Sequence, residues 1–352
     1  MKRKILFIAS LPNKNNHFNG ETNKSKDVLK AIEKFNFDKI DIVDYTKNKY
    51  VQTIKMILLV IFKKYDYIFV SKCITGGSFA IHLIRKFARK ANKNHIYFYL
   101  IGNGYQGFED KNLYFQDLIK CEKVIVESPM VKKSMMEKGL YNVIIFPCVK
   151  PNYDIDFFPK KYEAKSPLKL IFFSRIVKEK GIEDLINAVI KINKKHNCEA
   201  LTLDVSGGYD KNEEGIRFAQ RIEEICKEYS YLNYLGESFS IEGQKTYVEL
   251  QKYDLHVLPT RFIQECAPGS IIDMFIAGVP TLSSTFPSAK YLMNEENSFF
   301  FEQLNYDDLV KQLESIYLNP QSLTAKRRLS FEEAKKYTLD AFVSFLKEND
   351  FK

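Results

Sequence analysis

The chain has 352 residues, more than one hydrophobic core usually holds, so its length predicts two domains. Its 45% hydrophobic and 28% charged residues are ordinary for a soluble globular protein. The apolar run Met56–Phe62 is far shorter than the roughly 20 residues that span a bilayer, which excludes it as a membrane span. The six cysteines are scattered without CxxC or metal-ligand spacing, which predicts reduced thiols in a cytosolic protein.

The charge is uneven along the chain. Residues 1–160 hold 28 Lys and Arg against 15 Asp and Glu, whereas residues 161–352 hold 25 against 29. A basic first half indicates contact with an anionic partner. Nucleic acid, an anionic membrane or a lipid pyrophosphate would each fit that charge, and a solvated lysine-rich surface would need no partner.

Strand and helix patterns alternate through the first half. The apolar run Ile5–Ala9 is too short for a signal peptide and predicts the first strand. Residues 10–26 predict a polar loop, in which Gly20, Glu21 and Thr22 precede a helix. Further strands are predicted at Ile40–Val43, Tyr67–Val70, Ile96–Ile101, Val124–Glu127 and Val143–Phe146. The alternation predicts parallel pairing in a doubly wound sheet.

Two of the helices between these strands are basic. They are predicted from about Gln52 to Lys64 and from Phe79 to Ala91. The second combines cations such as Arg85 and Lys86 with an apolar face, as an interfacial helix does. A helix that packs on the sheet while its long cations reach solvent explains the same pattern.

A glycine-rich loop follows the strand Ile96–Ile101. Residues 102–107 match G-x-G-x-x-G, which is found in dinucleotide sites. The match lies far from the first strand–helix turn, and no clear helix follows it. Open α/β sheets bind ligands at the carboxyl ends of their strands, so we prefer a loop that faces a binding cleft. Asn103 and Tyr105 are then candidates for contacts to a sugar in that cleft.

Prolines mark a linker between the halves, at Pro147, Pro151, Pro159 and Pro167. The linker contains Asp154 and Asp156 in a D-x-D pattern, which holds a divalent cation in transferases of a different fold. No strand precedes this pair, so we assign it no metal.

The second half opens with the strand Leu170–Phe173 and the loop S-R-I-V-K-E-K-G. Arg175 and Lys180 flank this tight turn before a helix. Two cations at a strand–helix junction suit a diphosphate, because Arg offers a bidentate fork and Lys a point charge.

A second strand–helix junction lies between residues 260 and 280. Pro259 ends an apolar strand, and Pro268, Gly269 and Ser270 begin a helix whose free N–H groups would attract phosphate. Glu265 and Asp273 bracket the junction. Carboxylates repel phosphate but accept hydrogen bonds from hydroxyls, so we expect one to bind a sugar and the other a ribose.

These motifs carry a family resemblance. The second junction resembles the E-x7-E motif of retaining glycosyltransferases of family 4, which have the GT-B fold. Here Glu265 is followed after seven residues by Asp273 and then by A-G-V-P. S-R-x4-K-G resembles the diphosphate-binding motif of the same family. The sequence around Glu265 is similar to that of enzymes of bacterial capsule and surface-polysaccharide assembly. Asp at 273 departs from the family's Glu and shortens the reach toward ribose by one methylene.

The resemblance implies an α/β architecture of two Rossmann-like, doubly wound parallel-sheet domains that face each other across a cleft. Residues 1–160 would form the acceptor-binding domain and residues 161–330 the nucleotide-sugar-binding domain. Residues 331–352 would form a helix that packs back on the first domain.

The resemblance also implies the site. Arg175 and Lys180 would neutralise the leaving diphosphate, and Glu265 would orient the transferred sugar, which makes these three the catalytic set. The implied donor-binding residues are Gly20, Glu21, Thr22, Gly207, Gly208, Glu237, Pro268, Gly269, Ser270 and Asp273. We expect no metal or other cofactor, because the side-chain cations would take its place.

We therefore predict a retaining glycosyltransferase that moves a sugar from a nucleotide-diphosphate sugar, with UDP the most frequent carrier in the family. The acceptor would be a glycan or a polyprenyl-pyrophosphate-linked saccharide in bacterial surface-polysaccharide synthesis. We expect a cytoplasmic protein with peripheral contact to the inner membrane through its basic first domain, and no nucleic acid. Two alternatives stay open: a sugar-nucleotide-modifying enzyme (an epimerase or a nicotinamide-dependent enzyme) and a non-catalytic GT-B scaffold.

Overall fold

The computed structural model describes residues 3–12, 20–93, 95–102, 114–163, 166–239 and 243–351. The chain divides into two compact units. One contains Met1–Asn152 together with Tyr337–Lys352, and the other contains Tyr153–Lys336. Each unit holds one six-stranded sheet in which the neighbouring strands are parallel. The prediction of two doubly wound parallel sheets is confirmed.

The first unit is built on six short apolar strands. They are β1 (Lys4–Ala9), β2 (Lys39–Asp44), β3 (Tyr67–Lys72), β4 (Ile96–Leu100), β5 (Lys123–Val126) and β6 (Val143–Ile145). Their order across the sheet is β2-β1-β3-β4-β5-β6. The central strands β1, β3 and β4 are almost wholly buried, as expected for a parallel sheet covered by helices on both faces.

The helices of the first unit are α1 (Gly20–Glu33), α2 (Lys49–Phe62), α3 (Ile74–Phe87), α4 (Phe115–Leu118), α5 (Pro129–Glu137) and α13 (Leu339–Glu348). The prediction of a loop through residue 26 is wrong, because α1 already begins at Gly20. Glu21 in its first turn favours that start, since an acid stabilises the amino end of a helix dipole. Phe342 and Leu346 of α13 lie in the core of this unit with residues of α1, such as Val28.

The second unit repeats the architecture. Its strands are β7 (Leu168–Phe173), β8 (Leu201–Ser206), β9 (Leu232–Gly236), β10 (Leu255–Leu258), β11 (Thr281–Ser284) and β12 (Ser298–Phe301). Their order is β12-β11-β10-β7-β8-β9. The helices are α6 (Ile182–His196), α7 (Glu213–Lys227), α8 (Gln244–Leu250), α9 (Gly269–Ile276), α10 (Ala289–Leu292), α11 (Tyr306–Leu318) and α12 (Ser322–Glu333).

Of the helices in the described part of the chain, none combines the length and apolarity needed to cross a bilayer.

Candidate active site

The second sheet contains a topological switch point. The chain runs from β7 outward through β8 and β9, then returns to β10 on the other side of β7, with Leu170 paired to Leu255. Loops that leave neighbouring strands in opposite directions open a crevice at the carboxyl ends of those strands, where α/β proteins bind ligands. The loops after β7 and β10 are the ones that carry the predicted cations and the first predicted acid.

A buried ion pair joins these two loops. Lys180 ends a short 3-10 turn after β7, and its ammonium group contacts Oε2 of Glu265 in the loop after β10. Both residues are only 9% exposed. The hydroxyl of Thr260 donates to the same Glu265 oxygen at 3.1 Å. A buried charge requires a partner and hydrogen bonds, and both halves of this pair have them.

Gly181 allows the two loops to approach. Its φ is +71°, a left-handed value that L side chains rarely adopt. A Cβ at this position would lie 2.0 Å from the carbonyl oxygen of Pro259, at the end of β10. The glycine therefore lets the backbone after β7 touch the backbone after β10.

A second ion pair fixes the loop after β10 from outside. Arg261 donates to Asp184 of α6 through Nε at 2.8 Å and Nη2 at 2.5 Å, a bidentate arrangement. The backbone N–H of Arg261 also donates to the carbonyl oxygen of Glu179 at 2.8 Å. These contacts hold the loop on which Glu265 lies.

The helix α9 begins directly after this loop. Pro268 is its N-cap residue, and Gly269 and Ser270 are its first two residues. The amino end of a helix carries a partial positive charge, so this segment adds to the cationic character of the edge.

Asp273 lies inside the second unit. It is 1% exposed, and the hydroxyl of Tyr247 in α8 donates to its Oδ1 at 3.2 Å. The contact joins α8 to α9. A hydrogen bond from Asp273 to a ribose requires a ligand to reach this buried carboxylate, so that role stays a prediction.

The remaining predicted residues of this unit follow β7, β8 and β9. Arg175 is 60% exposed, and its guanidinium lies 3.3 Å from the exposed carboxylate of Asp210. Gly207 permits another close approach, because a Cβ there would lie 1.8 Å from the carbonyl oxygen of the residue after β7. Gly208 adjoins the Glu237 carboxylate, 2.7 Å from the position of a Cβ. The fold thus brings these residues to the same sheet edge as Lys180.

The first unit has its own switch point, between β1 and β3. Gly20, Glu21 and Thr22 form the first turn of α1 there, and Thr22 is buried. Lys72, the last residue of β3, donates to the hydroxyl of Ser10 at 2.7 Å and lies 3.5 Å from the Glu21 carboxylate.

A buried acid lies at the same edge of the first unit. Glu127 follows β5 and accepts from the ammonium of Lys24 at 2.6 Å and from the backbone N–H of Gly102 at 2.8 Å. Burial raises the pKa of Glu127, while Lys24 and the Gly102 hydrogen bond act in the opposite direction. The predicted acceptor residues Asn103 and Tyr105 lie outside the described residues.

Several residues that shape these edges were missed from the sequence. Thr260, Tyr247, Lys72 and Glu127 are common residue types whose importance comes from partners far away in the chain. Gly181 was the exception with a signal, since a glycine directly after the second cation of the loop indicates a tight turn.

Comparison with known proteins gives this edge a family context. Residues 167–319, which lie within the second unit, match the family model described as Glycosyl transferases group 1. No curated protein matches the sequence.

Solved structures resemble the whole chain. Sucrose-phosphate synthase from Thermosynechococcus elongatus is 13% identical with a TM-score of 0.72, and 98% of each chain is covered. HepE from Anabaena in complex with UDP and glucose is 12% identical with a TM-score of 0.71, again with 98% of each chain covered. A glycosyltransferase from Rickettsia africae is 15% identical with a TM-score of 0.69, with 99% of this chain and 97% of the other covered.

These similarities define the class. The two parallel sheets have the two-domain Rossmann-like fold of GT-B glycosyltransferases. Within that fold, residues 167–319 are the part of the chain that matches the glycosyl transferases group 1 family model.

Proposed function

We propose that this protein is a retaining, metal-independent glycosyltransferase that uses a UDP-sugar donor. One observation carries the proposal: the buried pair Lys180–Glu265 lies at the switch point of a glycosyl transferases group 1 domain. A lysine and a carboxylate held together in a ligand-binding crevice can bind the two chemically different parts of a sugar nucleotide. The lysine suits the diphosphate, and the carboxylate suits the hydroxyls of the sugar.

In the proposed donor complex, Lys180 donates to the diphosphate oxygens as well as to Glu265. The exposed guanidinium of Arg175 and the amino end of α9 supply further positive charge. Glu265, held by Thr260, then accepts hydrogen bonds from the transferred sugar. Groups already oriented toward developing charge are typically the largest source of catalysis. Lys180, Arg175 and the amino end of α9 would act in this way on the leaving diphosphate.

The proposed transfer proceeds on one face of the sugar. The acceptor hydroxyl attacks the anomeric carbon from the side on which the diphosphate departs. The bond from that carbon to the diphosphate oxygen breaks, the bond to the acceptor oxygen forms, and the departing phosphate oxygen takes the acceptor's proton. The configuration at the anomeric carbon is retained, and the side-chain cations balance the charge without a metal ion.

The identities of the donor and acceptor are supported by the similar structures. HepE from Anabaena has been solved with UDP-glucose, which favours UDP as the carrier here. WaaB, at 13% identity and a TM-score of 0.68, is described as a lipopolysaccharide outer core galactosyltransferase. We propose a glycan or polyprenyl-pyrophosphate-linked saccharide as the acceptor, within surface-polysaccharide synthesis at the cytoplasmic face of a membrane.

Turnover tests the proposal. UDP release from radiolabelled UDP-sugars would be followed with bacterial lipid extract as the acceptor source and EDTA present throughout. We expect release from one donor, a labelled product whose anomeric configuration matches the donor by NMR, and a loss of roughly 100-fold or more in Lys180→Met.

The matched control is Lys178→Met. Lys178 lies in the same 3-10 turn, but it is exposed and pairs with Glu214 at 3.3 Å. Its loss should change turnover little. Equal effects of the two substitutions, or near-normal turnover in Lys180→Met, would remove the diphosphate role.

A further inference from the structure

The helix α2 exposes an apolar face. Its 14 residues include no acid, and Gln52, Met56 and Val60 face the interior of the first unit. The opposite side, here called the α2 face, consists of Tyr50, Val51, Ile54, Leu58 and Phe62. A helix that covers a sheet normally presents polar residues on its outer side, so this face is anomalous.

The exposure is large for residues of this type. Tyr50 is 70% exposed, Ile54 59%, Leu58 49% and Phe62 68%. Single exposed apolar residues are common, but a contiguous stripe of them marks an interaction surface. The stripe runs the length of α2, about 21 Å at the rise of an α-helix.

Exposed cations flank the α2 face. Residues 49–93 contain ten Lys and Arg but a single acid, Asp66. Of the ten, Lys72 is buried and Lys63 contacts Asp41 of β2 at 3.1 Å, whereas Lys49, Lys64, Lys86 and Lys90 are exposed. Arg89 lies at the carboxyl end of α2, where its Nε donates to the carbonyl oxygen of Ile61 at 2.6 Å. The neighbouring α3 ends in Lys86 and the exposed Phe87, and the Lys86 ammonium lies 5.4 Å from the Phe87 ring centre. The patch is therefore apolar in the middle and basic along its borders.

We propose that the α2 face is a docking surface for an anionic lipid bilayer. An in-plane helix with an apolar face and a lysine and arginine border is the form that binds the boundary between headgroups and acyl chains. Each border cation near an anionic leaflet adds about a fivefold gain in binding at low salt. A second copy of this chain is a poorer occupant, because it would bring an equally basic border against the first.

The inference goes beyond glycosyl transfer. It rests on the proposed function only in that a lipid-linked acceptor would lie at such a surface. Docking would confine the search for that acceptor to two dimensions and would fix which side of the first unit meets the membrane.

Vesicle sedimentation tests the inference with the full chain. The vesicles would be phosphatidylcholine alone, and phosphatidylcholine with about a third of phosphatidylglycerol to supply the anionic charge. We expect binding to the second type, weakening as salt rises. Ile54→Gln with Leu58→Gln should lower the partition coefficient by about tenfold or more, because half-exposed side chains each lose part of their transfer free energy.

Two further variants separate the contributions. The first is a triple variant, which should lower vesicle binding and flatten its salt dependence; it combines Lys64→Gln, Lys86→Gln and Lys90→Gln. Tyr141→Ser, at a position 76% exposed in the same unit but away from α2, is the matched control and should bind like the unmodified protein.

Folding and donor binding are followed in the same samples by UDP-induced thermal stabilisation, which should be equal in all variants. Thus loss of vesicle binding with intact UDP binding supports the inference, whatever the reaction proves to be. Equal vesicle binding by the α2 variants and Tyr141→Ser would overturn it. The inference would also be overturned if the protein bound neither type of vesicle and instead formed a dimer that the double substitution Ile54→Gln and Leu58→Gln dissociates.

Discussion

The pair Lys180–Glu265 should behave differently in stability and in catalysis. Lys180→Met keeps the length of the side chain but leaves the Glu265 carboxylate buried, with the hydrogen bond from the Thr260 hydroxyl still in place. Breaking a buried ion pair by removing one partner costs about 3–5 kcal/mol. For a domain of this size that corresponds to a fall in Tm of about 6–20 °C.

The double variant Lys180→Met with Glu265→Gln removes both charges. Its stability should recover most of the loss, because no buried charge is left unpaired. The two substitutions should therefore show a coupling free energy of at least about 3 kcal/mol, the upper end of the usual range, in a double-mutant cycle measured by urea unfolding. Turnover should not recover, because both the diphosphate cation and the sugar-binding carboxylate are gone.

The combination of results is what matters. If the losses of unfolding free energy in the two single variants simply add in the double variant, Lys180 and Glu265 do not form a buried pair. If turnover is restored in the double variant, the catalytic assignment is wrong. Lys178→Met serves again as the control for a general effect of removing a cation from this turn.

Three other predictions concern the frame of the second unit. Burial lowers the pKa of His256 from 6.5 to about 3, so its contribution to stability is complete above pH 6.5 and is lost as the pH falls toward 3. Between pH 7 and pH 5 the unfolding free energy of the unmodified protein should fall by about 2 kcal/mol more than that of His256→Gln. An equal fall in both proteins, measured by urea unfolding, would contradict this. Gly181→Ala combines a positive φ with a backbone collision and should cost at least about 3 kcal/mol, whereas Gly139→Ala, with a φ of +87° in open space, should cost about 1–2 kcal/mol. Tyr247→Phe deletes the hydroxyl bonded to Asp273 and should lower stability by about 1.5–3 kcal/mol in thermal unfolding, and an unchanged Tm would show that this contact is not stabilising.

The fold class was readable from the sequence because short apolar strands alternated with helical patterns throughout. The buried runs Ile5–Ala9 and Ile96–Ile101 correspond closely to β1 and β4, since strands covered on both faces are apolar throughout. Helix starts were less predictable. Asn48 caps α2 by accepting from the N–H groups of Tyr50 and Val51, which moves its start to Lys49, three residues before the predicted one.

The predicted positions of Arg175, Lys180 and Glu265 came from local spacing, which a sequence displays directly. Their pairing did not, because Lys180 and Glu265 are 85 residues apart and meet only through the strand order β10-β7. The hydrogen bond between Asp273 and Tyr247 was equally hidden, since the two residues lie on different helices. The apolar outer side of α2 was present in the sequence, but an apolar helix predicts burial unless the structure shows which side is covered.

Donor binding tests the central claim most directly. Thermal unfolding would be measured with UDP, GDP, ADP, TDP and CDP, each with EDTA, for the unmodified protein and for Lys180→Met. A ligand at a hundred times its Kd stabilises a protein by about 2.7 kcal/mol, which is easily measured. The account predicts stabilisation by UDP in EDTA and little or none in Lys180→Met. No stabilisation by any of the five diphosphates, together with stabilisation by a nicotinamide dinucleotide, would contradict it.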